Sequence, residues 1–125
     1  AAIPIGIVAS VVGHYCILWR TKKGIDESLD VWAVHGMCGL WGALATGIFA
    51  TATVGGVDGL LWGGGTQFLK QIASVAAVGA FAFVATLILG KLVDYIVGLR
   101  VPSEEEEVGL DISQHGERAY GGAVS

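Results

Sequence analysis

The chain has 125 residues, of which 54% are hydrophobic and 14% charged, and its formal net charge is −4 at pH 7. Ordinary soluble domains carry about 25% charged residues, so the composition argues against a soluble globular protein. Much of the negative charge lies in the run Glu104–Glu107, which describes a polar tail and does not indicate a nucleic-acid partner.

Three long apolar runs with few or no charged residues follow one another along the chain. Because a helix needs about 20 mostly apolar residues to cross a hydrocarbon core of about 30 Å, we predict spans at about 1–19, 31–53 and 66–98. A soluble all-α domain is disfavoured, since helices of soluble proteins usually keep a polar stripe. The predicted fold class is all-α integral membrane, with a transmembrane region over 1–100 and a tail over 101–125.

Basic residues predict the orientation of these spans. Arg20, Lys22 and Lys23 lie between the first two spans, and Lys91 and Arg100 lie at the end of the third. Because Lys and Arg accumulate in cytoplasmic loops, we expect the first loop and the C-terminal tail to be cytoplasmic. The N-terminal end of the first span would then lie outside the cell, with no preceding segment to carry it across the membrane. We therefore expect this chain to be the C-terminal piece of a longer chain or a separate piece of an assembly.

His35 in the second span, within VWAVHGMCGLWG, is the sharpest signal in the sequence. A titratable side chain in a span is costly and usually faces a bundle interior or a cavity. The residues alone leave a structural hydrogen bond to another helix and a transport role both open. A metal site with Cys38 is disfavoured because two ligands are too few. For His14, in the first span, a hydrogen bond inside the bundle is preferred to a transport role.

Other features of the second span have ordinary structural interpretations. Gly36, Gly39, Ala43 and Gly47 recur at spacings of three and four, which lets helix backbones approach closely in lipid. Asp30 stands just before the span and is expected to cap its N-terminus. The sequence has no nucleophile–base pair, metal cluster or phosphate-binding loop, so an enzyme is the least favoured class, and neither cofactor nor metal is expected.

Two stretches together resemble the ammonium transporter (Amt/Mep/Rh) family, closest to its Amt branch. LDVWAVHGMCGLWGALATGIFA (29–50) resembles the region around that family's second pore histidine. LVDYIVGLRVPSEEEEVGLDISQHGERAY (92–120) resembles the end of its last helix and its cytoplasmic tail. The resemblance implies the last three helices and tail of an eleven-helix subunit in the plasma membrane. Such subunits form homotrimers with one pore each and transport ammonium by separate routes for ammonia and the proton.

The resemblance also assigns roles to individual residues. His35 matches the second of two histidines that face each other in a narrow apolar pore. Val31 matches a position lining the inner half of the pore, and Asp30 matches an acidic position at its cytoplasmic mouth. The first pore histidine belongs to earlier helices of the family, so the remaining helices are needed for a complete pore. No role is carried over to His14.

The tail segment GLDISQHGERAY (109–120) resembles the part of the family that docks on the cytoplasmic face, contacts the neighbouring subunit and controls the pore. The matching tail residues are Gly109, Asp111, Ser113, His115 and Tyr120. Ser113 stands where plant members carry a regulatory threonine, and a phosphate there would be repelled by Asp111. In many prokaryotic members of the family, a PII-type signalling protein plugs this face when nitrogen is plentiful. The alternative function is a structural or regulatory membrane module that mediates oligomerisation or signalling without its own transport pathway.

Overall fold

The computed structural model describes residues 1–119, and all regular secondary structure in that part of the chain is helical. Three helical stretches are long and apolar enough to cross a membrane, namely Ala2–Lys22, Trp32–Phe49 and Gly65–Ile96. The predicted all-α membrane fold with three spans is therefore confirmed. The chain divides into two compact units, of which the first is Ala1–Phe81 and the second begins at residue 82.

The first helix, α1 (Ala2–Lys22), extends three residues beyond the predicted end of its span. Large apolar side chains such as Ile3 and Ile7 are exposed along it, as is typical of a helix that lipid or other membrane helices surround. Its buried residue is Gly13. A Cβ at that position would lie 3.0 Å from Cys38 Sγ, so the missing side chain lets the second span come close.

Helix α1 runs antiparallel to the second span, and two interhelical hydrogen bonds fix how the two pack. The indole N–H of Trp41 donates to the carbonyl oxygen of Ile5 at 3.0 Å. The thiol of Cys38 donates to the carbonyl oxygen of Ala9 at 3.2 Å. Because donors cannot find water inside a bilayer, these contacts satisfy both side chains and set the rotation of the second span from Cys38 onward.

The second span combines two helical geometries. Its first part, Trp32–Met37, is π-helical, and its second part, α2 (Cys38–Phe49), is α-helical. The span ends four residues before the predicted Thr53, because Ala50 is extended with ψ 145°, and the short helix α3 (Ala52–Gly55) follows. The predicted end is wrong because the sequence stays apolar across the point where the backbone turns.

The loop before the third span folds back onto the end of α2. The N–H of Gly59 donates to the carbonyl oxygen of Ala50 at 2.8 Å, and a Cβ at Gly59 would lie 2.7 Å from a backbone oxygen of α2. One carboxylate oxygen of Asp58 accepts the N–H of Ala52 at 2.7 Å. A short 3₁₀ turn, Leu60–Trp62, lies between this contact and the third span. Glycine is needed in this loop for close approach as well as for turning.

The third span is α4 (Gly65–Ile96), a helix of 32 residues. At 1.5 Å per residue it is about 48 Å long, which exceeds the hydrocarbon core of about 30 Å. Its bounds differ from the predicted 66–98 by one residue at the start and two at the end. None of its residues is buried against the described part of the chain, and Tyr95 is 90% exposed. A helix that is mostly apolar and uncovered along its length suits surroundings of lipid or other helices.

Two short helices, α5 (Ser103–Val108) and α6 (Leu110–Ser113), form the described part of the tail and pack on each other. Gly109 joins them with φ 102°, a backbone conformation that favours glycine. The guanidinium of Arg100 makes a two-point contact with the Glu106 carboxylate at 2.9 and 3.0 Å. The polar composition of the tail argues against a core of its own, and hydrogen bonds and ion pairs supply its order.

Candidate functional site

His35 lies in the π-helical segment, and its side chain is exposed in the structure. Residues 1–119 give the imidazole no hydrogen bond, ion pair or ring contact. Nearby Ala33 is fully buried, so the two residues lie on differently covered parts of the same segment. Because lipid solvates an imidazole poorly, such a side chain belongs in a bundle interior or a cavity.

The π-helical geometry changes the direction in which this part of the span faces. The N–H of Cys38 donates to the carbonyl oxygen of Ala33, five residues earlier, whereas an α-helix would reach back four. One extra residue in the turn rotates the chain before the segment relative to the chain after it by about 100°, compared with an uninterrupted α-helix. Single π turns are rare and frequently occur at functional sites.

An ionic cluster joins the end of α1 to the start of the second span. A terminal guanidinium nitrogen of Arg20 lies 2.7 Å from the Asp30 carboxylate, and Nε lies 3.9 Å from that of Glu27. Arg20 also donates to the carbonyl oxygen of Ile25 at 2.9 Å. The Arg20 side chain is 12% exposed, so water screens these interactions less than it screens ion pairs on an open surface.

The expected capping role of Asp30 is wrong, and Glu27 has that role. A carboxylate oxygen of Glu27 accepts the N–H of Trp32 at 2.6 Å. The Asp30 carboxylate contacts Arg20, and its backbone has φ 52°, a left-handed conformation that is uncommon outside glycine but is more frequent for aspartate than for most residues. Its carbonyl oxygen accepts the N–H of Val34 at 2.9 Å, so Asp30 starts the helical span through its main chain.

The three residues that resemblance assigns to the pore have different surroundings. Asp30 is anchored to α1, whereas Val31 and His35 lie one turn apart with their side chains exposed. Val31 is 48% exposed and adds an apolar side chain four residues before the histidine. The structure therefore places one fixed acidic group and two uncovered side chains at the start of the second span.

A groove of about 400 Å³ lies between the second span and α4. Gly36, Gly39 and Ala43 line it from one side, and Gln71 supplies a polar group from the other. The predicted close approach through small residues is realised at Gly47, where a Cβ would lie 2.9 Å from Gln71 Cγ. At Gly39 the described residues leave open space around an added Cβ.

Asp111 organises the end of the described tail. Its carboxylate accepts the N–H of Ala119 at 3.0 Å and the N–H of Ile112 at 3.0 Å. The Ala119 hydrogen bond is the main reason that the pKa of this carboxyl lies below its ordinary value, with smaller contributions from Ile112 and the charge of Arg118. Hydrogen bonds from N–H groups favour the ionised form of a carboxyl, so Asp111 holds the chain after α6 as a carboxylate.

Ser113 contacts the preceding tail helix. Its hydroxyl donates to the carbonyl oxygen of Gly109 at 2.9 Å and approaches that of Glu105 at 3.2 Å. His115 has an exposed side chain, and its main-chain N–H donates to a carbonyl oxygen of α6. Tyr120, the last of the predicted tail residues, lies outside the described residues.

Sequence reasoning missed Arg20 and Glu27 as organisers of this site. In the sequence, Arg20 is interpreted only as one of several basic residues that predict the orientation of the spans, and Glu27 is not singled out. The available signal is a basic residue at the end of one apolar run with acidic residues just before the next. Among residues 1–119 no group of three or more His, Cys, Asp or Glu side chains is placed to hold a metal ion.

Comparison with known proteins gives consistent results along the chain. Residues 1–120 match the model of the Ammonium Transporter Family. The chain is 55% identical to ammonium transporter Amt1 of Archaeoglobus fulgidus over 119 residues, covering 95% of this chain and 30% of that protein. It is 42% identical to an ammonium transporter of Bacillus subtilis over 123 residues, covering 96% and 30%. It is 45% identical to one of Aquifex aeolicus over 117 residues, covering 93% and 27%. The chain thus spans less than a third of the length of these relatives.

Proposed function

The chain belongs to the ammonium transporter family, and on that premise we propose that it forms part of a path for ammonium or ammonia across a membrane. It has three helices long and apolar enough to cross a bilayer. Its own contributions are a pore histidine, His35, and a tail that regulates the pore. Its relatives are about three times longer, so further helices complete the path.

The observation that carries the proposal is the exposed imidazole of His35 in a π-helical turn of a membrane span. An ammonium ion is charged and therefore costly inside an apolar passage. Neutral ammonia requires only hydrogen-bond donors and acceptors, and a neutral imidazole has one of each. His35 would bind ammonia within the passage, Val31 would line it, and Asp30 would lie at its cytoplasmic mouth.

The proposed assembly follows from the resemblance and from the charges. The chain would supply the last three helices and the tail of an eleven-helix subunit, and earlier helices would supply the second histidine. Three such subunits would form a homotrimer in the plasma membrane. The basic residues around the end of α1 and the end of α4 support a cytoplasmic first loop and tail.

The tail is the proposed regulatory element. The Ser113 hydroxyl donates toward two carbonyl oxygens, so an added phosphate would face acceptors and the nearby Asp111 carboxylate instead of hydrogen-bond donors. A PII-type signalling protein is the proposed partner at this cytoplasmic face. Binding of a purified PII-type protein to the complete transporter should be lost when residues 101–125 are removed, and unchanged binding would contradict this assignment.

The test of the transport proposal is His35→Ala in the complete subunit that carries this sequence. We expect ammonium-evoked flux in proteoliposomes to fall by at least about tenfold, as when a group that handles a proton or hydrogen bond is removed. Oligomer formation should be retained. The matched control is His14→Ala, which removes an exposed histidine from α1 to which no pore role is assigned and should leave flux within about twofold of the unaltered protein.

Three results would contradict the proposal or its assignment to His35. Normal flux and normal ion selectivity after His35→Ala would show that the imidazole is not part of the path. Absence of ammonium-evoked flux from the unaltered complete protein would favour the alternative of a structural or regulatory membrane module. Equal loss in both histidine variants would assign the effect to general damage and not to His35.

A further inference from the structure

We propose that Arg20 is a positioning residue for His35, acting through the start of the second span and not by contact with the transported molecule. The inference rests on the proposed pore role of His35 and adds the residue that sets its direction. Arg20 lies at the end of α1 and is largely buried, with 12% of its side chain exposed. A largely buried guanidinium beside two carboxylates indicates a structural task beyond orientation of the chain.

Arg20 fixes the N-terminal end of the π-helical segment by two routes. It contacts the Asp30 carboxylate at 2.7 Å, and the Asp30 carbonyl oxygen accepts the N–H of Val34, near the start of the span. It also lies 3.9 Å from Glu27, whose other carboxylate oxygen accepts the N–H of Trp32 at 2.6 Å. Both routes end on the main chain of the turn that precedes His35.

A second anchor fixes the other end of the segment. Cys38 and Trp41 donate to carbonyl oxygens of α1, at Ala9 and Ile5, and these bonds hold the span after the segment. The π-helical turn lies between the two anchors, and His35 lies within it. A π turn is less favourable than an α turn and persists where the surroundings require it. We infer that the two anchors impose it.

Loss of the Arg20 anchor therefore has a defined consequence. The segment could return to α-helical geometry while Cys38 and Trp41 keep their bonds to α1. An α-helical turn contains one residue fewer than a π-helical turn. The chain before the turn would therefore rotate by about 100° relative to the chain after it. That change would redirect the His35 side chain without breaking the packing of α2 on α1.

The contacts also explain why arginine and not lysine suits this position. Arg20 reaches an aspartate, a glutamate and the carbonyl oxygen of Ile25 in three directions. The planar guanidinium presents several N–H donors in a fixed arrangement, whereas an ammonium group is a compact point charge on a flexible stem. Arg20→Lys should keep the charge but only part of this geometry.

The experiment compares flux and side-chain accessibility in the complete transporter. Arg20→Gln should lower ammonium flux by roughly tenfold or more, since small misplacements of a functional group have effects of this size. Arg20→Lys should recover part of the flux. Lys22→Gln is the matched control, because it removes the same charge two residues away at an exposed position; it should leave flux within about twofold.

A second measurement reports the direction of the side chain at position 35, which a purely structural role of Arg20 would not change. His35→Cys is combined with Arg20→Gln or with Lys22→Gln, and the rate of modification by a water-soluble methanethiosulfonate is measured at position 35 by mass spectrometry. We expect a several-fold change in rate with Arg20→Gln and the unaltered rate with Lys22→Gln. Should Arg20→Gln fail to fold, Glu27→Gln removes one of the two routes, and the same measurement on it should show a smaller change in the same direction.

The outcomes separate this inference from the proposed function. If His35→Ala abolishes flux while Arg20→Gln leaves both flux and the modification rate unchanged, the positioning role is refuted and the pore role stands. If Arg20→Gln lowers flux with an unchanged modification rate, Arg20 acts in another way and the inference is again refuted. If His35→Ala leaves flux unchanged, the proposed function fails first.

Discussion

The close contact between α1 and the second span gives a quantitative prediction. Gly13 in α1 faces Cys38, and Gly13→Ala would place a Cβ 3.0 Å from Cys38 Sγ. Carbon atoms in favourable contact lie about 3.5–4.0 Å apart, so the helices would have to separate by several tenths of an ångström. The Cys38 thiol cannot turn away freely, because it donates to the Ala9 carbonyl oxygen at 3.2 Å. Overpacking of this kind costs about 1–3 kcal/mol.

The assay is denaturant-induced unfolding of the complete transporter in detergent, compared between single and double variants. Gly13→Ala should lower the free energy of unfolding by about 1–3 kcal/mol. In a Cys38→Ala background the sulfur is gone, and the same change should cost at least about 1 kcal/mol less, which is a coupling of the size expected for residues in contact. Gly6→Ala in the same helix is the control, since an added Cβ there meets no atom of the described chain within 4 Å.

The reasoning would be refuted in either of two ways. Gly13→Ala and Gly6→Ala could lower stability equally, which would mean that the close contact has no energetic role. Alternatively, the cost of Gly13→Ala could be the same with and without Cys38, which would place the strain elsewhere. A stabilising effect of Gly6→Ala, up to about 1 kcal/mol from helix propensity, agrees with the prediction.

Two further predictions concern the tail. The pKa of Asp111 is lowered from its ordinary value of 3.8, mainly by the Ala119 hydrogen bond. The stabilisation that the Asp111 carboxylate gives to the folded tail is therefore complete above pH 3.8, and it is lost as the pH falls through the lower pKa of the folded state. Hydrogen exchange of the Ala119 amide, corrected for intrinsic rate, should therefore accelerate on acidification through this range; an Asp111→Asn variant should lack this pH dependence, and equal behaviour of the two would contradict the assignment. Ser113→Asp should loosen the packing of α5 on α6 and alter ammonium flux, because it places a carboxylate against two carbonyl oxygens that repel it. Ser113→Ala should leave flux nearer to that of the unaltered protein, and unchanged flux in Ser113→Asp would exclude control by phosphorylation here.

The three spans could be predicted because a helix that crosses a bilayer must be apolar along its length, and long apolar runs are visible in the sequence. A chain crossing lipid must be apolar over about 20 residues, and α1 and α4 agree with their predicted bounds within a few residues. The end of the second span was not predictable in this way. Residues up to Thr53 remain apolar, but Ala50 is extended, and the loop packs back onto α2 through the close approach of Gly59.

The surroundings of the candidate site were less predictable, because they depend on contacts between separate elements. The expected capping by Asp30 follows from its place before a span, yet Arg20 at the end of another helix binds its carboxylate. Glu27, and not Asp30, accepts a main-chain N–H at the start of the span, that of Trp32. Local sequence rules identify the kinds of residue near the site, whereas the arrangement of these partners is set by how α1 and the second span pack.

Two departures from local rules occur together at this site, and one cluster of contacts accounts for both. Asp30 has a left-handed backbone, and the next turns are π-helical instead of α-helical. Each is uncommon, and each lies next to the ion pairs of Arg20. Departures of this kind persist where surrounding contacts compensate, and they concentrate at functional sites. Their position beside an exposed imidazole in a membrane span is therefore an argument for His35 that does not depend on family resemblance.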